Sequence, residues 1–113
     1  MTDVVFFKNN NIIYGFQCSG HTGYSDYGSD IVCSALSSIT QSCALGLKSV
    51  VGVKLIEIRN DEEGYYRIEL PKNITKSKFE QSQILLNTLF LSVKDLIKGY
   101  SKFIKLEERD YVY

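Results

Sequence analysis

The sequence predicts an α+β domain with an antiparallel or mixed sheet of about five strands and two helices on one face, in the order ββαββαβ. Segments rich in β-branched and aromatic residues occur in pairs separated by turn residues, which is typical of hairpins. One segment with apolar residues at helical spacing follows each pair. Strand pairs interleaved with single helices favour a sheet covered on one face. The 113 residues, 44% of them hydrophobic, suffice for one domain spanning 1–113.

The first hairpin is predicted from residues 4–7 and 12–18, which flank the turn-forming residues 8–11. Successive side chains of a strand alternate between its two faces. One face of the second strand is therefore expected to carry Ile12, Tyr14, Phe16 and Cys18. A loop with three glycines, residues 19–28, leads from this strand to the first helix.

The first helix is expected to begin at a cap formed by Gly28 or Ser29, with Asp30 in its first turn. Cys33 is also expected in that first turn. It lies one residue off the apolar stripe that the helix should bury. The stripe consists of Val32, Ala35, Leu36, Ile39, Cys43 and Leu47.

A second hairpin is predicted from residues 53–58 and 65–70, around a turn at residues 60–64. The second helix is expected from about Ser77 to Gly99, with Ser77 and Glu80 as a capping box. The alternating tail from Phe103 can add a final strand.

Charge and composition indicate which kind of partner the chain binds and in which compartment it is expected. The 13 basic and 13 acidic residues give a net charge of zero, which argues against direct binding to nucleic acid and favours a protein or peptide partner. Neither a signal peptide nor an apolar run long enough to span a membrane is evident. Three cysteines, an odd number, are expected as reduced thiols in the cytoplasm.

His21 and Cys33 are the residues best suited to chemistry. His21 is the only histidine, and Gly20 and Gly23 bracket it in the loop before the helix. A thiolate near the positive end of a helix is a nucleophile, and an imidazole can take its proton and later protonate a leaving amine. Backbone amides at the helix start can also bind a developing oxyanion. These features predict nucleophilic attack on a carbonyl group.

Each of these residues also has a plainer interpretation. A loop histidine is usually a surface residue, and a lone cysteine is usually a small core residue. The phase of Cys33 argues against a core position, whereas Cys18 and Cys43 fall on apolar faces. Asp30 either orients the imidazole or acts only as a helix-start carboxylate. Ser37, one turn after Cys33, either bonds near the nucleophile or bonds back to the helix backbone.

Metal and cofactor sites are not predicted. The spacings of the cysteines and the histidine match no zinc motif. The loop glycines form neither phosphate-binding pattern, GxxxxGK[ST] or GxGxxG. We therefore expect a site without metal or cofactor.

Residues 20–37 resemble the ribosomal-processing cysteine protease family, called Prp. The resembling pattern is a Gly-His loop at Gly20 and His21, then Gly-x-Asp-Ile-Val-Cys at residues 28–33, with Ser37 one turn later. The order of elements and the chain length also fit. The family often has alanine after the histidine and after the cysteine, where this chain has Thr22 and Ser34.

The resemblance implies a dyad of His21 and Cys33, with Asp30 and Ser37 in supporting positions. It implies a cytoplasmic homodimer that removes the N-terminal extension of a large-subunit ribosomal protein, cutting after an aromatic residue. Tyr24 and Tyr27 are candidates for lining the peptide cleft. One alternative is a non-enzymatic, ribosome-associated module that binds such a peptide. Another is a dimeric structural protein with a redox-sensitive cysteine.

Overall fold

Strands and helices alternate along the chain in the predicted order, ββαββαβ. The structure, a computed structural model, describes residues 1–20 and 27–112, and the side chains of residues 27–30 lie outside that description. Its elements are β1 (Thr2–Asn9), β2 (Ile12–Ser19), α1 (Tyr27–Leu45) with a π-helical extension (Gly46–Val51), β3 (Ile56–Asn60), β4 (Tyr65–Glu69), α2 (Lys76–Tyr100) and β5 (Ile104–Asp110).

The sheet is mixed, with the strand order β3-β4-β2-β1-β5. Three of the four pairings are antiparallel, and β5 runs parallel to β1, with Thr2 opposite Ile104. Parallel strands need a long crossover connection, and the 25-residue helix α2 supplies it between β4 and β5. The fold class predicted from the sequence is confirmed.

The core lies between the sheet and the two helices. From the sheet, Val4, Phe6 and Phe16 are fully buried. Each such side chain contributes roughly 1.5–3 kcal/mol through removal of apolar surface from water. The predicted stripe of α1 is confirmed by the burial of Val32, Leu36, Cys43 and Leu47, and α2 contributes Leu86, Leu89 and Val93.

A β-bulge in β2 changes which side chains enter the core. Phe7 pairs with Gly15, but the next residue of β1 pairs with Ile13, so Tyr14 is an extra residue in β2. The bulge shifts the alternation of faces, and Ile13 is fully buried in the core while Ile12 is only partly buried. The prediction that Ile12 shares a face of β2 with Phe16 and Cys18 is therefore wrong.

The side chain of Gln83 from α2 bonds to the backbone beside this bulge. Its Oε1 accepts the N–H of Ile13 at 2.9 Å, and its Nε2 donates to the carbonyl oxygen of Ile13 at 2.7 Å. The carboxamide thus pairs with both polar backbone groups of the residue beside the bulge. The helix and the sheet are thereby joined at one defined position.

Both helices begin earlier than the sequence pattern indicates. Because α1 starts at Tyr27, its cap is neither Gly28 nor Ser29. In α2 the hydroxyl of Thr75, not that of Ser77, accepts the N-terminal N–H bond. None of the helices in the described part of the chain combines the length and the apolar content needed to cross a membrane.

The end of α1 also differs from the expectation. The helix continues as a π-helical turn to Val51 and ends at Gly52, whose φ of 86° is left-handed and favours glycine. Val53 is buried, and its N–H donates to the carbonyl oxygen of Leu47 rather than to a strand. For that reason β3 begins at Ile56 instead of residue 53.

Candidate active site

A cleft of about 350 Å³ lies between α1 and the β3–β4 hairpin. It is large enough to admit a side chain of a bound peptide. Residues from α1, from the hairpin and from the ends of β1 and β2 line it. Among these lining residues are Thr2, Cys18, Gly20, Cys33, Leu36, Ser37, Thr40, Arg59, Asp61 and Tyr66.

Cys33 contributes its thiol to the wall of this cleft. The side chain is half-buried, whereas the preceding residue, Val32, is fully buried in the core. The prediction that Cys33 lies off the buried stripe of α1 is thus confirmed. Its Sγ is 4.0 Å from the hydroxyl oxygen of Thr2, which approaches from the first strand.

The position of Cys33 along α1 differs from the prediction. Since the helix starts at Tyr27, Cys33 is the seventh helical residue and belongs to the second turn, not the first. The N–H groups that lack a partner within a helix are those of its first four residues. The favourable effect of the helix dipole on an anion also weakens beyond the first turn. Helix-start amides are therefore further from Cys33 than the sequence suggested.

The other two cysteines differ from Cys33 in their surroundings. Burial raises the pKa of the Cys18 thiol to about 12, and burial raises the pKa of the Cys43 thiol to about 12 as well. Cys43 is in the core, where its Sγ donates to the carbonyl oxygen of Leu85 at 3.7 Å. Cys18 packs against the core, as predicted, but also lines the cleft. Both thiols are protonated near neutral pH, and no disulfide joins any of the three cysteines.

The loop that precedes α1 starts at the cleft. Gly20 lines the cleft and has a φ of 119°, which residues with side chains rarely adopt. A Cβ on Gly20 would lie 2.5 Å from the carbonyl oxygen of Met1, so only glycine fits at this position. The candidate base, His21, is the next residue. It lies outside the described residues, and its approach to Cys33 stays a prediction.

The remaining predicted site residues fall into three groups. Ser37 lines the cleft beside Cys33, which confirms that the two residues share a face of α1. Gly23 and Tyr24 lie outside the described residues. Tyr27 and Asp30 belong to the first turn of α1, but their side chains lie outside the description, so their roles stay predictions.

The β3–β4 hairpin supplies a wall that sequence reasoning missed. Arg59 donates from Nε to the Asp61 carboxylate at 2.8 Å, and its guanidinium lies 5.5 Å from the centre of the Tyr66 ring. The Tyr66 hydroxyl donates to Glu57 at 2.8 Å. Burial, and next this hydrogen bond, raise the pKa of Tyr66, which keeps the phenol neutral. The predicted hairpin places Arg59 opposite Tyr66, but its position beside α1 depends on contacts between segments that are distant in the sequence.

The cleft combines a thiol with apolar, aromatic and hydrogen-bonding side chains. A thiol placed there can attack a carbonyl carbon of a peptide lying in the cleft and form a thioester. Within residues 1–20 and 27–112, no group of three His, Cys, Asp or Glu side chains is arranged to hold a metal ion.

Comparison with known proteins shows the family to which this chain belongs. The family model described as cysteine protease Prp matches residues 1–105. The ribosomal processing cysteine protease Prp of Bacillus subtilis (strain 168) is 18% identical over 94 residues, which are 83% of this chain and 84% of the relative.

Solved structures share the fold. SMU.848 from Streptococcus mutans is similar with a TM-score of 0.85 and 23% identity, covering 98% of this chain and 99% of that one. The essential ribosomal processing protease Prp from S. aureus, in complex with a substrate peptide, is similar with a TM-score of 0.84 and 19% identity. That match covers 96% of this chain and 100% of the S. aureus chain.

Proposed function

Because this chain belongs to the cysteine protease Prp family, we propose that it removes the N-terminal extension of a large-subunit ribosomal protein precursor. The B. subtilis and S. aureus relatives are both described as ribosomal processing proteases, and the latter was crystallised with a substrate peptide. Ribosomal processing is carried over from their names, and the N-terminal extension of a large-subunit protein is what the resemblance of residues 20–37 implies. The compartment is the cytoplasm, and the active form is a homodimer, as the resemblance implies.

In the proposed mechanism Cys33 is the nucleophile and His21 is its general base. The imidazole takes the thiol proton, and the sulfur attacks the scissile carbonyl carbon to form a tetrahedral intermediate. The intermediate expels the amine, which leaves with the proton held by the imidazole, and a thioester to Cys33 remains. Water, deprotonated by the same imidazole, then hydrolyses the thioester and restores the thiol.

The observation that carries this proposal is the contrast among the three thiols. Cys33 is half-buried on the wall of a cleft. The pKa of each of the other two thiols is raised to about 12 by burial, so neither supplies much thiolate near neutral pH. A thiol nucleophile in this chain is therefore best assigned to Cys33.

Other residues have supporting parts in the proposal. Gly20 and Gly23 allow the loop to bring His21 towards the sulfur, and Asp30 orients the imidazole. Ser37 lines the cleft one turn after Cys33 and is suited to hydrogen-bond the bound peptide. Tyr24 and Tyr27 are assigned to the peptide cleft, in keeping with cleavage after an aromatic residue.

The test is digestion of a synthetic precursor peptide followed by mass spectrometry. The wild-type chain should release the extension, and Cys33→Ala should release none while keeping the fold, as judged by circular dichroism. Cys43→Ser is the matched control, because it removes a thiol but keeps a donor for Leu85 and should retain cleavage. Cleavage by Cys33→Ala would remove Cys33 from the mechanism. Binding without cleavage by the wild type would favour the non-enzymatic peptide-binding module.

A further inference from the structure

Thr2 is a buried polar residue beside the candidate nucleophile. Thr2 is only 6% exposed, although it lies near the N-terminus of the chain. Buried hydroxyl groups in folded proteins are nearly always hydrogen-bonded. Among the described residues, the Thr2 hydroxyl oxygen contacts the Sγ of Cys33 at 4.0 Å. The two residues are 31 positions apart in the sequence, so only the fold brings them together.

The backbone around Thr2 holds this hydroxyl in place. The N–H of Thr2 donates to the carbonyl oxygen of Phe103 at 2.8 Å, and Thr2 pairs with Ile104 of β5. On its other side Gly20 is so close that a Cβ there would lie 3.2 Å from the Thr2 Cα. Thr2 is thus fixed by both neighbouring strands, and the direction of its side chain is set by the sheet.

We propose that Thr2 is a positioning residue for Cys33, donating its hydroxyl hydrogen to the sulfur once the thiol has lost its proton. This inference rests on the proposed role of Cys33. In the thiol form either atom can donate, but a thiolate only accepts, so the hydroxyl then becomes the donor. The bond stabilises the anion and selects one orientation of Sγ towards the cleft. A separation of 4.0 Å is long. Catalytic hydrogen bonds are often long in structures without substrate and shorten in the complex.

The position of Cys33 in α1 makes the hydrogen bond from Thr2 more important. Because Cys33 is in the second turn of α1, the helix dipole stabilises its anion less than it would in the first turn. A hydroxyl from β1 approaches the sulfur independently of the helix. A thiolate at this position therefore gains a hydrogen bond that does not depend on where the helix begins.

Several other titratable and charged groups face the cleft that Cys33 lines. The charged and titratable residues that line the same cleft are Cys18, Arg59, Asp61, Tyr65 and Tyr66. His21 and the side chain of Asp30 lie outside the described residues and are assigned to the site by resemblance. All of these groups are the same in variants of Thr2, so a change between those variants reports on the hydroxyl.

The experiment compares Thr2→Val, which keeps the size but loses the hydroxyl, with Thr2→Ser, which keeps the hydroxyl. Alkylation of Cys33 by iodoacetamide is measured against pH and located by peptide mapping. We expect Thr2→Val to react about three- to tenfold more slowly near neutral pH and to titrate at higher pH, since a typical hydrogen bond in a protein has a net effect of about this size. Thr2→Ser should stay close to the wild type.

A second variant and a kinetic measurement complete the test of Thr2. Thr2→Ala is a second hydroxyl-free variant in case Thr2→Val fails to fold, and it should alkylate as slowly as Thr2→Val. With the precursor peptide, the folded hydroxyl-free variant should lower kcat and leave KM unchanged. Identical pH profiles for wild type and either hydroxyl-free variant would refute the proposal. Alkylation does not require peptide cleavage, so its result is separate from any failure of the proposed function.

Discussion

Gly20 and Met1 are in direct backbone contact, and a Cβ built on Gly20 would lie 2.5 Å from the carbonyl oxygen of Met1. Gly20 also has a φ of 119°. The end of β2 is therefore pressed against the start of β1. This contact sets where the loop bearing the candidate base leaves the sheet, beside the residue that touches Cys33.

Replacing Gly20 by alanine should destabilise the chain and impair the site. We expect Gly20→Ala to lower the free energy of unfolding by about 1–3 kcal/mol, because the backbone conformation is strained for a residue with a Cβ and Met1 must move. Peptide cleavage should fall more than stability alone explains, since the loop start shifts. Urea denaturation and peptide digestion measure the two effects.

Gly99 provides the matched control for this substitution. It lies within α2, and a Cβ there meets nothing within 4 Å. Gly99→Ala should raise the free energy of unfolding by roughly 0.5–1 kcal/mol and leave cleavage unchanged, because alanine is the better helix former. Equal effects of the two substitutions would contradict the role assigned to the Gly20 contact.

The three thiols should differ in reactivity in the folded chain. Near pH 7.5 iodoacetamide should modify Cys33 well before Cys18 or Cys43, because burial raises the pKa of each of those thiols to about 12. Their thiolate fractions at that pH are on the order of 10⁻⁴ or less. Timed peptide mapping measures the order of modification. In denaturant the three rates should converge, and early labelling of Cys43 without denaturant would be incompatible with its burial.

Gln83 should matter for stability because it bonds to both polar groups of the Ile13 backbone. Gln83→Leu leaves the N–H and the carbonyl without this partner, and a loss of about 2–3 kcal/mol in the free energy of unfolding is expected. Gln81→Leu is the control, since Gln81 is exposed and its side chain donates to the hydroxyl of the equally exposed Ser77. That variant should change stability by less than about 0.5 kcal/mol. Chemical denaturation of the two variants measures both changes in the free energy of unfolding.

The ion pair between Lys48 and Glu57 should make a small, pH-dependent contribution to stability. The hydrogen bond from Lys48 is the largest cause that lowers the pKa of the Glu57 carboxyl from its ordinary value of 4.5, and the hydrogen bond from Tyr66 adds to it. A lowered pKa in the folded state stabilises the fold above pH 4.5. That stabilisation disappears as pH falls through the folded-state pKa.

Glu57→Gln should therefore cost about 0.5 kcal/mol at pH 7, a value typical of exposed pairs, and less near pH 3. Lys48→Met should cost a similar amount, and the double variant should lose less than the sum of the two single losses. Urea unfolding at both pH values gives these numbers. A loss that grew on acidification would have the wrong sign for this ion pair.

Local patterns in the sequence were enough to predict the class of fold. The alternation in the hairpins and the helical spacing from Val32 to Leu47 reflect which faces are buried, and burial follows from short-range periodicity. The same periodicity placed Cys33 off the buried stripe, where a thiol can face a cleft. The element boundaries were less well predicted. The bulge at Tyr14, for example, depends on how β2 pairs with β1.

The sequence by itself determined the pairing of strands into hairpins, the buried faces of the helices and the candidate role of Cys33. Only the tertiary structure decided that β5 runs parallel to β1, that Arg59 and Tyr66 line the cleft, and that Thr2 lies against the sulfur. The physical reason is distance along the chain. The periodicity of apolar side chains indicates which residues are buried. Contacts between segments that are distant in the sequence depend on the packing of the whole core.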